Sequence, residues 1–179
     1  ALALIIYTYG LFPLITLLRG LVWRTPYRSA EITPRVSLII AAYNEAQSIG
    51  AKLDNVLALT YPRKKLEVIV ASDGSTDGTD EIVRRYAGHG IRLLSLPRGG
   101  KAPALNAAVA AATGEILVFS DANSMYATNA IRALVRPFAD PAVGGVAGNQ
   151  VYLKEKGGNA SGSGEQSYWN FDRKLKQLQ

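Results

Sequence analysis

The chain has 179 residues, 48% of them hydrophobic, with a formal net charge of +6 and no cysteine. That length and apolarity suit one domain with a full core and exclude a disordered tail. The missing cysteine excludes disulfides, thiolate catalysis and cysteine-ligated zinc, and fits a reducing compartment. A single histidine, His89 between Gly88 and Gly90, has no second histidine with which to build a zinc site or a triad, so it reads as a turn residue. The positive charge favours anionic partners.

Residues 1–18 carry no charge, and as a helix they would span roughly 27 Å, close to the ~30 Å hydrocarbon core of a bilayer. The stretch reads as a transmembrane helix over residues 1–23. A signal peptide would need a basic segment before the apolar run and a small-residue cleavage site after it. Arg19, Arg24 and Arg28 just beyond the run place the remainder of the chain on the cytoplasmic side by the positive-inside rule. Pro13 should kink the helix, which membranes tolerate. A core or interfacial helix is the alternative, because Tyr7, Thr8 and Tyr9 lower the apolarity. A chain beginning with alanine is expected to be a fragment or processed piece.

Residues 24–35, with Pro26, Pro34 and mixed charge, read as a juxtamembrane linker. Val36-Ser-Leu-Ile-Ile-Ala then forms a buried strand with Tyr43-Asn44-Glu45 at its end. The next helix puts Ile49, Leu53, Val56 and Leu57 on one face and stops before Tyr61-Pro62. Leu66 to Ser72 is a second strand, ending in Asp73-Gly74-Ser75-Thr76-Asp77-Gly78. A helix with Ile82, Val83 and Tyr86 inward comes next, closed by Gly88. Ile91 to Leu96 is a third strand, and the basic, glycine-rich Arg98-Gly99-Gly100-Lys101 leads into a helix from about Pro103 to Ala112.

The apolar run Ile116 to Phe119 ends in Asp121-Ala122-Asn123, the pattern of a buried parallel strand that delivers polar groups to its carboxyl end. Asn129 to Arg136 is a short helix stopped by Pro137, and Val143 to Leu153 reads as extended. Residues 157–164 are a flexible loop, and Gln166 to Leu178 is a candidate helix with Trp169, Phe171 and Leu175. Four strands alternating with helices predict a parallel sheet with helices on both faces.

Several motifs fail on inspection. Asp73-Gly-Ser-Thr-Asp-Gly starts like a calcium loop, but Arg84 stands where the bidentate glutamate should be and a strand precedes it. No G-x-G-x-x-G comes after the first strand, which argues against a dinucleotide fold. Gly100-Lys101 is no Walker loop, since Ser95 replaces its first glycine and Ala102 its hydroxyl residue. What survives is a rim of polar clusters at strand ends: Tyr43-Asn44-Glu45, Asp73 and Asp121-Ala-Asn123, joined by Lys101 and Asn106. Acids for hydroxyls or a metal, an aromatic face for a base and a cation with helix amides for phosphate suit a nucleoside diphosphate. Singly, each cluster reads as caps and turns, and Asp77 to Asp80 is expected to be one.

Val36-Ser-Leu-Ile-Ile-Ala-Ala-Tyr-Asn-Glu, Val70-Ala-Ser-Asp-Gly-Ser-Thr-Asp-Gly-Thr, Gly100-Lys-Ala-Pro-Ala-Leu-Asn and Val118-Phe-Ser-Asp-Ala-Asn are similar, in order and spacing, to motifs of family-2 inverting glycosyltransferases of the GT-A fold. The resemblance runs from about Val36 to Leu153 and leans towards membrane-bound polysaccharide synthases such as the cellulose, hyaluronan and poly-N-acetylglucosamine enzymes. It implies an α/β GT-A (Rossmann-like), mostly parallel sheet over residues 36–179 after one transmembrane helix, with the carboxyl-terminal part of the fold missing.

The resemblance also implies roles by position. Tyr43 and Glu45 would meet the nucleobase, Asp73 the uracil or ribose, and Lys101 the diphosphate. Asp121 would be the first acid of the Asp-x-Asp motif that handles the nucleotide sugar and its Mg2+ or Mn2+. Asn123 stands at the second acid; its amide oxygen can ligate but adds no charge. The family's catalytic base and its Gln-x-x-Arg-Trp motif would fall beyond Gln179, and the late acids Glu165 and Asp172 lack the family's surrounding pattern. The expected partners are a nucleotide-sugar donor, UDP-linked in the first instance, a glycan or lipid acceptor and a membrane, and no nucleic acid. A donor-binding module without turnover is the alternative. A sugar nucleotidyltransferase is a weaker one, since it would want a glycine- and arginine-rich loop after the first strand.

Overall fold

The computed structural model describes residues 2–22 and 26–149. Two compact units are present: Arg28–Ala147 holds the sheet, and the amino-terminal helix belongs to the other. In that helix α1 (Leu2–Ile6) passes through a π-helical turn at Tyr7–Leu11 into α2 (Phe12–Val22). The expected distortion at Pro13 takes this form: the Phe12 amide bonds to the Tyr7 carbonyl, five residues back. A wider turn relieves the pressure of the proline ring on the preceding carbonyl. The 21 residues of Leu2–Val22 are long and apolar enough to cross a membrane.

The second unit is built on a four-stranded sheet in the order β3-β2-β1-β4, every pair parallel. Its strands are β1 (Val36–Ala42), β2 (Leu66–Asp73), β3 (Ile91–Leu96) and β4 (Ile116–Asp121). Alternate residues of β1 and β2 face opposite layers, as a two-residue period requires. Leu38, Ile40, Val68 and Val70 pack with Ile49, Leu53 and Val56 of α3 (Ile49–Leu57) and Val83 of α4 (Thr79–Arg85). Ile39, Ile69 and Ala71 meet Ala104 and Ala108 of α5 (Lys101–Ala111) on the other face. Helices therefore cover both faces. Each fully buried Leu, Ile or Val contributes about 1.5–3 kcal/mol. The small alanines let α5 lie close on the sheet.

Several boundaries differ from the sequence reading. Helix α5 begins at Lys101, not Pro103, because a proline within the first turn lacks only an amide that has no intrahelical partner anyway. The turn after α4 is closed by Gly90, at φ +80°, and not by Gly88. Pro137 does not stop α6 (Ala130–Val135) but continues it as a 3-10 turn, Arg136–Ala139. Residues 143–149 form no strand, and the expected loop and helix beyond, with Glu165, Trp169 and Asp172, lie outside the described residues. The largest correction concerns β4. It is an edge strand among the described residues, and its Phe119 is 53% exposed rather than core. From Arg28 on, the stretch before β1 is fastened to the domain: the Arg28 amide donates to Asp140, and the Tyr61 hydroxyl to the Pro34 carbonyl at 2.6 Å.

Candidate functional site

The chain runs β1 to β2 to β3 in one direction and then crosses back to place β4 on the far side of β1. Such a reversal opens a crevice at the carboxyl ends of the two strands that flank it. The register fixes what stands there. Asp121 is level with Ala41, and Ala42 with Ser72, so Tyr43, Asp73 and Asp121 emerge along one edge. A cleft of about 320 Å³ opens at this edge, lined by Tyr43, Glu45, Asp73, Lys101, Asp121 and Asn123 among others. The residues to which the resemblance gives a donor or metal role are thus brought together. Asn106 is not: it lies exposed on α5, outside the cleft lining.

The first cluster is held by the loop after β2. Asn44 takes a positive φ of 52°, accepts from the Thr76 amide at 2.8 Å and donates its own amide to the Ser75 hydroxyl at 3.1 Å. That clamp aims its neighbours Tyr43 and Glu45 into the cleft. The Glu45 carboxylate accepts from the Ser48 hydroxyl, and its backbone carbonyl receives the Ile49 amide at the start of α3. Asp77 is a turn residue, as expected, binding the amides of Ala46 and Thr79 and the Thr79 hydroxyl.

Asp73 is buried, and its carboxylate organises the basic loop. It accepts from the Gly99 amide at 2.6 Å and the Gly100 amide at 2.9 Å, and it pairs with the Arg98 guanidinium. The Gly99 bond above all, then the Gly100 and Arg98 interactions, hold its carboxyl below the usual carboxylate range against the opposing effect of burial. The amides leading into α5 are therefore already engaged by a carboxylate of the chain. The Arg98 guanidinium also lies over the Tyr43 ring at 3.5 Å from its centroid, a cation–π stack. The sequence reading placed Arg98 in the basic loop without giving it a site role. A basic residue opening a glycine-rich loop opposite an aromatic was the available signal.

Across the cleft, Lys101 Nζ donates to Asp121 Oδ1 at 2.6 Å, both side chains more than half exposed. Beneath the turn that carries Asp121 and Asn123 lies Lys52 of α3, fully buried, a residue that the sequence reading missed. Its ammonium donates to the Ser120 hydroxyl at 2.7 Å and to the Ser124 carbonyl, and sits 4.0 Å from the centre of the Tyr126 ring. Burial lowers its pKa to about 8, opposed by the charge of Asp121. A lysine between Ile49 and Leu53 on the apolar face of a helix was its signature in the sequence.

Asp121 and Asn123 both line the cleft and offer hard oxygen ligands of the type that magnesium and manganese take. Among the described residues no group of three or more His, Cys, Asp or Glu side chains gathers to hold an ion. Two oxygen-bearing side chains at one edge of the cleft leave most of the shell of such an ion to other ligands.

A parallel, doubly covered sheet with a polar cleft at its strand-order reversal defines an α/β ligand-binding domain of Rossmann-like type. Within that class the chain belongs to Glycosyl transferase family 2, whose family model matches residues 37–179. It is 34% identical over 131 residues to the glycosyltransferase AglE of Haloferax volcanii, covering 72% of this chain and 43% of that protein. It is likewise 34% identical over 117 residues to a poly-beta-1,6-N-acetyl-D-glucosamine synthase of Staphylococcus epidermidis, covering 64% and 28%. The chain thus spans less than half the length of these relatives. Among solved structures it resembles the mannosyltransferase PcManGT of Pyrobaculum calidifontis, in complex with GDP-Man and Mn2+, with a TM-score of 0.70 and 41% identity over 80% of this chain and 44% of that one. The fold is GT-A-like.

Proposed function

We propose that this chain forms the donor-binding part of an inverting glycosyltransferase that takes a sugar from a nucleoside diphosphate sugar, UDP-linked in the first instance, and passes it to a glycan or lipid acceptor. The observation that carries this reading is the Lys101–Asp121 pair at the mouth of a cleft that also presents Tyr43 and Asn123. A GDP-linked donor is the second reading, favoured by the likeness to a mannosyltransferase that binds GDP-Man.

In this reading Tyr43 offers its ring to the base and Arg98 closes over it. Lys101 exchanges Asp121 for a phosphate oxygen. Asp121 and Asn123 would hold Mg2+ or Mn2+, which would supply positive charge to the departing diphosphate. Inversion needs a base that takes the proton of the acceptor hydroxyl as its oxygen attacks the anomeric carbon. The acids lining the cleft are taken up in other ways, Glu45 by Ser48, Asp73 by Arg98 and two amides, and Asp121 by Lys101 or the metal, and none of them is assigned that role. The helix Leu2–Val22, long and apolar enough to cross a membrane, would be the anchor in this reading, and Arg19, Arg24 and Arg28 favour a cytoplasmic domain by the positive-inside rule.

Calorimetric titration of the detergent-solubilised full-length protein with UDP and with GDP, each with and without Mn2+, tests the reading. Metal-dependent binding of one nucleotide that disappears in Asp121→Ala is the expected result, and the stronger of the two identifies the donor class. Binding that is indifferent to both metal and Asp121 would remove the assignment.

A further inference from the structure

Helix α3 reaches the donor cleft with none of its own side chains in the lining, yet one of its faces grips the turn that carries Asp121 and Asn123. Lys52 binds the Ser120 hydroxyl and the Ser124 carbonyl, the residues that flank this turn on either side. One helical turn later Asn55 makes two reciprocal bonds with the backbone of Tyr126, donating to its carbonyl at 2.9 Å and accepting from its amide at 2.8 Å. Ala122, at the centre of the turn, is buried. Asp121 and Asn123 are exposed to either side of it.

An ammonium in this place is costly. Burying one imposes a desolvation penalty that an apolar side chain of similar length would avoid, and Ile49, Leu53 and Val56 on the same helix already supply the apolar core. A methionine would fill the space. It could not bind two oxygens of different residues at once. The Ser120 hydroxyl that accepts from Lys52 in turn donates to the Asp121 carbonyl at 3.2 Å, so the link runs from α3 through Ser120 to the backbone of the predicted metal ligand.

We infer that Lys52 is a positioning residue of the donor site, a buried staple between Ser120 and Ser124 that fixes the backbone from which Asp121 and Asn123 present their oxygens to the metal–diphosphate group. This inference rests on the donor-site reading proposed above. Outer-shell partners of this kind govern the orientation of metal ligands, and their loss typically weakens metal affinity about ten- to hundredfold.

The test uses Lys52→Met and Ser120→Ala in the full-length protein, with two readouts. Hydrogen exchange reports the turn without any ligand, and the Mn2+ concentration that half-saturates UDP binding reports its consequence at the site. The expected result is faster exchange confined to residues 120–126 in both variants, with the half-saturating Mn2+ concentration raised about tenfold or more and the melting temperature retained in Ser120→Ala. Wild-type exchange in the turn together with unchanged Mn2+ dependence overturns the inference. Should Lys52→Met fail to fold, Ser120→Ala decides alone, since it cuts the link on the turn side and leaves the lysine its Ser124 carbonyl. Should the wild-type protein bind neither UDP nor GDP, the donor-site reading falls, and the exchange measurement still decides whether Lys52 holds the turn.

Discussion

Lys101 and Asp121 form an ion pair of 2.6 Å that joins the first residue of α5 to the last residue of β4. Both ends are well exposed to solvent, so the pair is worth at most about 1 kcal/mol. A divalent cation or a diphosphate can break it. Lys101→Met should therefore tighten the binding of Mn2+ alone by up to about fivefold, the equivalent of that 1 kcal/mol, and weaken the binding of nucleoside diphosphate. Titration with Mn2+ first and nucleotide second separates the two effects; Mn2+ affinity that is weakened in Lys101→Met, or unchanged in Asp121→Ala, would mean that Asp121 is not a ligand.

Asp73 holds the loop 98–100 through two amides and a guanidinium. Its carboxyl is depressed in the folded protein, by the Gly99 bond first. A depressed carboxyl contributes stability that is fully present above its unfolded pKa and is lost as the pH falls through the folded one. Asp73→Asn should melt lower than wild type at neutral pH, and the gap should close as the pH is lowered past the ordinary carboxylate range. Parallel melting curves in both proteins over acid pH check this, and a gap independent of pH would refute it.

At the opposite end of the sheet Glu67 ties three segments together. Burial works against its charge, but the Ser37 hydroxyl at 2.5 Å, the amide and hydroxyl of Thr113, and Arg92 together hold it below the usual carboxylate range. Glu67→Ala leaves the buried Ser37 hydroxyl without that acceptor, at a cost of about 2 kcal/mol. Chemical denaturation should show this loss at neutral pH and less of it in acid. Nucleotide affinity, measured on the folded variant, should remain at the wild-type level, because the donor cleft lies at the other strand ends.

Gly74 has a φ of +67°, and a Cβ there would stand 2.8 Å from the Arg98 amide nitrogen. Both the strained backbone and the close approach oppose a side chain. Gly74→Ala should lower stability by about 1–3 kcal/mol and push the Arg98 loop away from Tyr43, reducing nucleotide affinity with it. A thermal melt and a UDP titration on the same sample are sufficient; retention of both would show that the loop shifts freely.

The sheet was legible because its signals are local. β3 runs over the expected Ile91–Leu96, and β1, β2 and β4 start where their apolar runs begin. The exposure of Phe119 was not legible, since an apolar run reads the same in a central strand and at an edge, and only the strand order distinguishes them. The residues of the cleft could be inferred from their place after strand ends. Their pairings could not: that Asp73 would bind Arg98 and the loop amides, or that Lys101 would reach Asp121, depends on which strands are neighbours. Lys52 was hidden for a related reason. Its place on the apolar face beside Leu53 was visible in the sequence, but its partners stay hidden until the turn after β4 is known to lie over it.

The register that sets Asp121 level with Ala41 has a consequence for the order of assembly. Two of the elements that line the cleft, β1 and β4, are neighbours in the sheet although two strands and the crossover helix α5 lie between them in the chain. Contacts between segments so distant in sequence form late and at a high entropic cost. The cleft is therefore a late feature of the fold, and any ligand that binds it alone stabilises the fully paired sheet. The pairing of β1 with β4 is what brings Tyr43 and Asp121 to one edge, and the cleft exists only once that pairing is made.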